Sequence, residues 1–485
     1  MDRFNKVELT DDEVKRISEH LTETILNLNK SFSTRKVTSG KSPQEIAELI
    51  SNKPLPENGG KALDIIKNIS QILTDHSLFN GHPKFLGYIT SSPTPIGVWS
   101  DLLASAINAN VGANILSPVA TAVERQTVKW LAEFIGVSND YGGVLVSGGN
   151  MANLTGFLAG RTAQCGDALK KEGLQSLKPQ TIYCSKTTHT WVEKACILFG
   201  HGQNSLRWID TLPNNQMDLK KLNDSIEKDI AEGKQPMMVI GTAGDVSTGV
   251  VDDLAGISEI CKKYDLWFHV DGAYGVPAAV VPEYKQIFNG LEEADSIALD
   301  PHKWLYAPLE AGCTLVKNPH HLINTFSSHP EYYNFSNDEN SVNFFEYGMQ
   351  NSRGFRALKV WTALELLGKA GYQQLIREDI ELSKLMYKLA VDHPKLEARS
   401  QNLSITTLRY VPEKYLGNED KYQSELNELN QTLLNNMQKN GEAFFSNAVI
   451  NGNYYLRGCI VNFRTTEKDI HEMIEIIVKE GDKLA

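Results

Sequence analysis

The chain has 485 residues, with 48 Lys+Arg against 59 Asp+Glu, a formal net charge of −11, and 41% hydrophobic and 22% charged residues. That composition excludes a disordered polymer, and the length predicts two or three domains with substantial cores. The acidic balance lacks a Lys/Arg-dense stripe, which argues against a nucleic-acid partner, and no run approaches the ~20 apolar residues that span a bilayer. The opening MDRFNKVELTDDEVK carries early acids and no apolar run of the secretory kind. Six scattered cysteines (Cys165, Cys184, Cys196, Cys261, Cys313, Cys459) form no C-x-x-C pair. They predict free thiols in a reducing cytoplasm rather than disulfides or a thiolate metal site.

In chain order, Thr10 and Glu13 form a capping-box signature before Val14, Ile17, Leu21, Ile25 and Leu28, which repeat at helical spacing. KPLPENGG at 53–60 breaks the pattern, and Leu63, Ile66, Ile69 and Leu73 predict a second amphipathic helix over 61–74. From about 100 the texture becomes alternating helices and short apolar strands. Strands are predicted at 144–147, 181–185, 236–242, 266–271, 296–299 and 313–317. Helices are predicted over WSDLLASAINAN, TAVERQTVKWLAEFIG, 152–162, 190–198 and 251–264. This is the pattern of an α/β domain with a mainly parallel sheet, whose ligands sit beyond the strand carboxyl ends. HPEYYNFSNDENSVNFF at 329–345 reads as a long polar loop, followed by helix 353–367. After about 375 come helix 376–391, strand 402–410, helix 421–438, strands within 446–464 and helix 467–481, a smaller α+β unit.

Three features fall where such a sheet would bind a ligand. Lys303, in ALDPHKWLYAP, follows a buried strand and has apolar neighbours; desolvation there lowers an amine's pKa and frees it as a nucleophile, although position alone also fits a surface lysine. Asp271 ends the strand of WFHVDGAYG, where it either caps a turn or meets a heterocyclic nitrogen. A reactive lysine plus an acid that holds a ring nitrogen protonated is the set pyridoxal phosphate requires. Ser147, Gly148, Gly149 and Asn150 lie between a strand and a helix, where backbone N–H groups can receive a phosphate; Ser296 and Asp300 fall near the same crevice. His189 could stack on a flat cofactor, and Ala273 is small enough to leave the other ring face open. No H-E-x-x-H or Cys/His ligand spacing occurs, so no metal is expected.

HVDGAYG followed by ADSIALDPHKWLYAPLEAGCTLVK, with NANVGANILSPVATAVERQTVKWLAEFIG, SGGNMANLTG, THTWVEKA and FRALKVWTALELLG, resembles the group II pyridoxal-phosphate-dependent amino acid decarboxylases over most of 80–370. The resemblance implies a type I fold: a helical arm (1–95), a large domain with a mainly parallel seven-stranded sheet (96–375) and a small C-terminal α+β domain (376–485). It also implies a homodimer with shared active sites. By the same resemblance Lys303 carries the cofactor as a Schiff base with His302 beside it, and Asp271 binds the pyridine nitrogen. His189 and Ala273 flank the ring, and the phosphate lies among Gly148, Gly149, Asn150, Ser296 and Asp300. The family often has Ser or Thr at Asn150 and Asn at Asp300, so an acid beside the phosphate is a departure.

Tyr332 matches the loop tyrosine thought to protonate Cα after carbon dioxide leaves, with Tyr333 one residue away; aldehyde synthases tend to carry Phe there. FLGYITSSPTP matches the segment that lines the side-chain pocket of the aromatic branch, naming Tyr88, Ile89, Thr90 and Ser91, with Trp99 as a further wall. Arg353 or Arg356 could recognise a second substrate carboxylate, although their helix pattern favours a structural role. The expectation is decarboxylation of an aromatic L-amino acid. Acidic or diamino acid decarboxylation, aldehyde synthesis, aldol-type cleavage of a phosphorylated amino alcohol and a catalytically inactive scaffold are the alternatives.

Overall fold

The computed structural model describes residues 7–50, 53–328 and 342–485. Three helices open the chain: α1 (Asp11–Ser31), α2 (Pro43–Ile50) and α3 (Ala62–His76). The capping box forms as the sequence predicts: the Thr10 hydroxyl accepts the Glu13 N–H at 3.3 Å and Glu13 Oε2 accepts the Thr10 N–H at 3.0 Å. Neither α1 nor α2 buries a residue, so their apolar stripes find little cover within one chain. Helix α4 (Pro95–Ile107) starts four residues before its predicted onset because Pro95 suits a first helical turn, and α5 (Pro118–Ile135) ends at Gly136, whose φ of 85° stops it.

The large sheet follows, in the chain order β1 (Gly142–Val146), α6 (Gly149–Glu172), β2 (Gln180–Ser185), α7 (Trp191–Leu198), β3 (Leu206–Ile209), α8 (Leu219–Ala231), β4 (Gln235–Thr242), α9 (Leu254–Tyr264), β5 (Trp267–Asp271), β6 (Ser296–Leu299) and β7 (Gly312–Val316). Its seven strands are ordered β1-β7-β6-β5-β4-β2-β3, with β7 alone running against its neighbours. Alternation along the strands fills two cores. Tyr183, Val239, Phe268 and Val270 face α5, α8 and α9, whereas Ile182, Cys184, Met238 and Ile240 face α6 and α7. The sequence reading missed β3, which is four residues long and carries Arg207 and Trp208 without a clear alternation.

After α10 (His320–Phe326), the two helices predicted at 353–367 and 376–391 are one element, α11 (Ala357–Asp392), broken only at Gly368 with φ 59° and ψ 176°. The remaining elements are β8 (Leu396–Asn402), β9 (Ile405–Tyr410), α12 (Gln423–Asn440), β10 (Ser446–Ile450), β11 (Asn453–Cys459) and α13 (Glu467–Asp482). The four strands form an antiparallel sheet ordered β10-β11-β9-β8. The Leu86 N–H donates to Phe444 O at 2.7 Å and its carbonyl accepts from Cys459 N at 3.0 Å, so the stretch after α3 joins this layer. Leu86 shares its core with Met386, Leu433 and Ile470.

All six cysteines are free and buried, and burial pushes every thiol upward. No helix among the described residues is long and apolar enough to cross a membrane.

One buried ion pair joins α5, β1 and the approach to α11. Arg353 Nη2 lies 2.5 Å from Glu124 Oε1 and 2.6 Å from Leu145 O, its Nη1 donates to Val111 O at 2.9 Å, and Leu145 N–H donates to the same Glu124 oxygen. Both side chains are essentially without solvent. Removing one partner strands the other charge in a medium that cannot solvate it. Arg353→Leu is therefore expected to lower stability by about 3–5 kcal/mol, measured by equilibrium urea unfolding.

Candidate active site

A cavity of about 620 Å³ opens at the carboxyl edge of the large sheet, where the chain leaves β1, β4, β5 and β6 and where His189 follows β2. Its floor and walls include Gly148, Gly149 and Asn150, His189, Asp271 and Ala273, and Asp300, His302 and Lys303. Residues spread over more than 150 positions of sequence thus meet because parallel strands end on one side.

Lys303 Nζ lies 2.9 Å from Asp300 Oδ2, whose carboxylate is almost wholly enclosed. The lysine is therefore not lodged among apolar groups alone, as the sequence suggested: an acid three residues back neutralises it. His302 Nε2 is 3.8 Å from the same oxygen, and its Nδ1 accepts the Ala311 N–H at 3.1 Å. Ser91 Oγ donates to the His302 carbonyl at 2.9 Å, fixing the turn from behind. Burial lowers the pKa of both His302 and His189, so each imidazole is neutral at pH 7. His189 Nδ1 accepts the Trp191 N–H at 3.2 Å, which leaves its proton on Nε2.

Asp271 is held by a group the sequence reading did not name. Trp191 Nε1, fully buried at the start of α7, donates to Asp271 Oδ2 at 2.7 Å, while the Ala273 N–H approaches Oδ1 at 3.3 Å. Behind it, His269 Nδ1 meets Ser296 Oγ at 2.7 Å and its Nε2 meets Asn153 Oδ1 at 2.8 Å. Asn153 Oδ1 only accepts, so His269 Nε2 carries the proton and Nδ1 accepts the Ser296 hydroxyl, whose oxygen also accepts Trp267 Nε1–H at 2.8 Å. Burial pushes the His269 pKa down to about 4, consistent with that neutral tautomer.

This corrects the placement of Ser296. It opens β6 at the amino end of the strand, is fully buried and does not reach the cavity; Asp300, at the other end, does. The expected substrate wall is also only partly assembled. Ile89 lines the cavity, but Tyr88 is 62% exposed with φ 51° and Trp99 is 42% exposed on α4. Thr90 is not among the lining residues, and Ser91 braces the lysine turn. Val246, Leu309 and Glu310 line the cavity without having been anticipated. Arg356 Nη2 is 3.0 Å from Glu310 Oε1, so both arginines considered for substrate binding are engaged by acids of the chain itself. Tyr332 and Tyr333 lie outside the described residues.

A family model described as the pyridoxal-dependent decarboxylase conserved domain matches residues 43–405. The chain belongs to the pyridoxal-dependent decarboxylases. It is 30% identical over 479 residues to an aromatic-L-amino-acid decarboxylase of Bacillus atrophaeus, covering 98% of this chain and 96% of that one. A phenylacetaldehyde synthase of a Rosa hybrid cultivar is 30% identical over 408 residues, 81% of this chain and 79% of the other. Among solved structures, Catharanthus roseus tryptophan decarboxylase in complex with L-tryptophan matches with a TM-score of 0.88 and 26% identity, covering 99% and 100% of the two chains.

The cofactor of the pyridoxal-dependent decarboxylases is pyridoxal 5′-phosphate, and the residues present fit it. The turn at Gly148 (φ 127°) opens the 24-residue α6, and a Cβ on Gly149 would stand 2.5 Å from Asp300 Oδ2 and 3.3 Å from the Ala273 Cβ. Neither glycine carries a side chain, so the backbone N–H groups at this helix start stay open to a phosphate. Gly149→Ala is expected to weaken cofactor binding at least tenfold, read by titrating pyridoxal phosphate into the cofactor-free protein.

Proposed function

We propose that this decarboxylase converts aromatic L-amino acids to the corresponding amines and carbon dioxide, as a cytoplasmic homodimer. The observation that carries the substrate class is the charge of the cavity: among the described residues lining it, Lys303 is the sole Lys or Arg. An acidic substrate needs a second cation for its side chain. Arg353 is spent on Glu124 and Arg356 on Glu310, while Ile89, Val246 and Leu309 offer apolar surface. The relatives named for aromatic amino acids and tryptophan support the same reading. The homodimer reading rests on α3 and α4, which expose Ile65, Ile69, Leu73, Leu102, Leu103 and Ile107 in the single chain. A second copy would cover this face, with 1–95 as the clasping arm, 96–375 as the body and 376–485 as the small domain.

When bound, pyridoxal phosphate supplies the electron sink that accepts the pair released as the Cα–carboxylate bond breaks. Lys303 would provide the amine that holds the cofactor. Asp271, its carboxylate fixed by the Trp191 hydrogen bond, would hold a proton on the cofactor's ring nitrogen. His189 and Ala273 would hold the ring, and backbone N–H groups at Gly148, Gly149 and Asn150 would receive the phosphate. His302, with Nδ1 occupied, directs Nε2–H toward the acid that pairs with Lys303. Asp300 holds the Lys303 ammonium until the amine is required. Tyr332 returns a proton to the substrate Cα, and the apolar wall limits water at that carbon.

Tyrosine, tryptophan, dihydroxyphenylalanine and 5-hydroxytryptophan are expected to give amine and carbon dioxide in equal amounts, at higher kcat/KM than glutamate, aspartate or 2,4-diaminobutyrate. Faster turnover of the acidic or diamino substrates overturns the assignment of class. Lys303→Ala is expected to abolish the borohydride-trapped cofactor link on its peptide. Tyr332→Phe is expected to bind cofactor normally while amine formation falls by about 10²–10⁴ and, in the presence of dioxygen as oxidant, aldehyde, ammonia and hydrogen peroxide rise, read by product analysis.

A further inference from the structure

Asp379 is a buried acid with no part in the site as described so far. It lies on α11 beyond the Gly368 break, is 2% exposed, and accepts two hydrogen bonds on one oxygen. Trp304 Nε1 donates to Asp379 Oδ2 at 2.9 Å and the Tyr306 hydroxyl at 2.7 Å. Both donors belong to the loop of Lys303, and Trp304 is its immediate neighbour in the chain.

We infer that Asp379 is a positioning residue for Lys303: its carboxylate, carried by the second half of α11, sets the shape of the lysine loop through Trp304 and Tyr306. This rests on the reading of Lys303 as the residue that carries the cofactor. Packing alone does not account for an acid at this position, since a buried carboxylate bears a desolvation cost that an apolar side chain of similar size avoids. The loop, in turn, has a conformation that needs outside support. Tyr306 sits at φ 53°, a backbone region unfavourable for a bulky residue, and it is pinned from several sides. Its carbonyl accepts the Thr94 N–H at 2.8 Å, and its ring lies parallel to Tyr372, whose hydroxyl donates to Leu305 O at 3.0 Å. Trp304 stacks on Tyr274 with centroids 5.1 Å apart, and the Tyr274 hydroxyl meets Ser404 Oγ of the small sheet layer at 2.6 Å. Asp379 is where the two polar tips of the loop converge, so a change at this acid reaches the Lys303 backbone through one covalent neighbour.

The same carboxyl gives a readout that a purely structural role would not move. Burial pushes its pKa up to about 7, opposed by the Tyr306 and Trp304 hydrogen bonds and by the Asn462 backbone N–H. The charged and titratable groups that face it are Tyr306, Cys459 and, on its own helix, the exposed Glu378, with Tyr372 one ring further out against Tyr306. The two tyrosines and the cysteine keep their protons well above neutrality because of burial. Ionised Asp379 accepts both donors more strongly than the neutral acid does, so the loop tightens as pH rises through 7. Losing the Tyr306 donor destabilises the ionised form and moves that midpoint upward.

The test follows pyridoxal phosphate capture by the full-length protein, from the visible band of the lysine link and from borohydride trapping on the Lys303 peptide, between pH 5.5 and 8.5. Asp379→Leu is expected to capture cofactor at least tenfold more slowly at pH 7.5. Asp379→Asn, which keeps an acceptor oxygen, is expected within about threefold of wild type but without the wild-type step near pH 7. Tyr306→Phe is expected to retain the step at a higher pH. Wild-type rates and an unchanged pH profile in Asp379→Leu overturn the inference. If that variant does not fold, an unchanged profile in both Asp379→Asn and Tyr306→Phe overturns it equally. A wild-type protein that traps no cofactor on Lys303 defeats the assignment of Lys303 instead, and so separates the two failures.

Discussion

Five strands that end on the same side of a sheet deliver their loops to one edge, and the active site depends on that constraint. β1 brings the glycine turn, β2 leads to His189, β4 ends beside the cavity, β5 ends in Asp271 and β6 runs into Asp300, His302 and Lys303. Each loop is anchored at its base by strand pairing. The side chains are therefore held by hydrogen bonds to the scaffold rather than by one another. Trp191 on Asp271, Ala311 on His302 and Ser91 on the His302 carbonyl are all of this kind. Asp300 is the exception, an acid of the loop that pairs directly with Lys303.

The same constraint explains what could be read from sequence. A residue at a strand's carboxyl end announces itself locally, by an apolar run followed by Gly, Asp or a polar turn. Lys303, Asp271, His189 and the Gly148–Gly149 turn were legible for that reason, and the structure brings them into one cavity. Ser296 lacked that signal: it opens a four-residue strand and sits at the opposite end, roughly 10 Å from the edge at about 3.3 Å per residue. Proximity in sequence to Lys303 was mistaken for proximity to the cavity. At Tyr88 a φ of 51° turns the backbone, and within the single chain Ile89 lines the cavity while Tyr88 is exposed. The bracing partners were not legible at all, because they lie far apart in the chain. Trp191 and Asp271 are 80 residues apart, Asn153 and His269 are 116 apart, and no local pattern connects them.

Architecture was easier to read than the edges of elements. The capping box at Thr10 and the apolar strands of the large sheet follow from short-range rules, and the seven-stranded mainly parallel sheet agrees with the expectation. β8, with the polar run LEARSQN at the margin of the small sheet, gave no apolar alternation and was missed. Buried charge was the other blind spot. The structural role favoured for Arg353 is borne out, but its partner Glu124, 229 residues away, could not be named from sequence. Asp379 sits in a helix rich in exposed acids, and only tertiary structure distinguishes it from them.

The six cysteines have a consequence for how this molecule ages. Every sulfur is enclosed, and burial makes each thiolate costly to form, so the native fold offers oxidants and alkylating reagents almost nothing to attack. Damage must wait for the chain to open. Because the cysteines are divided among α6, α7, α9, β2, β7 and β11, the order in which they become reactive records which part of the molecule opens first. The protein thus carries six internal clocks, each running only while its own surroundings are breached.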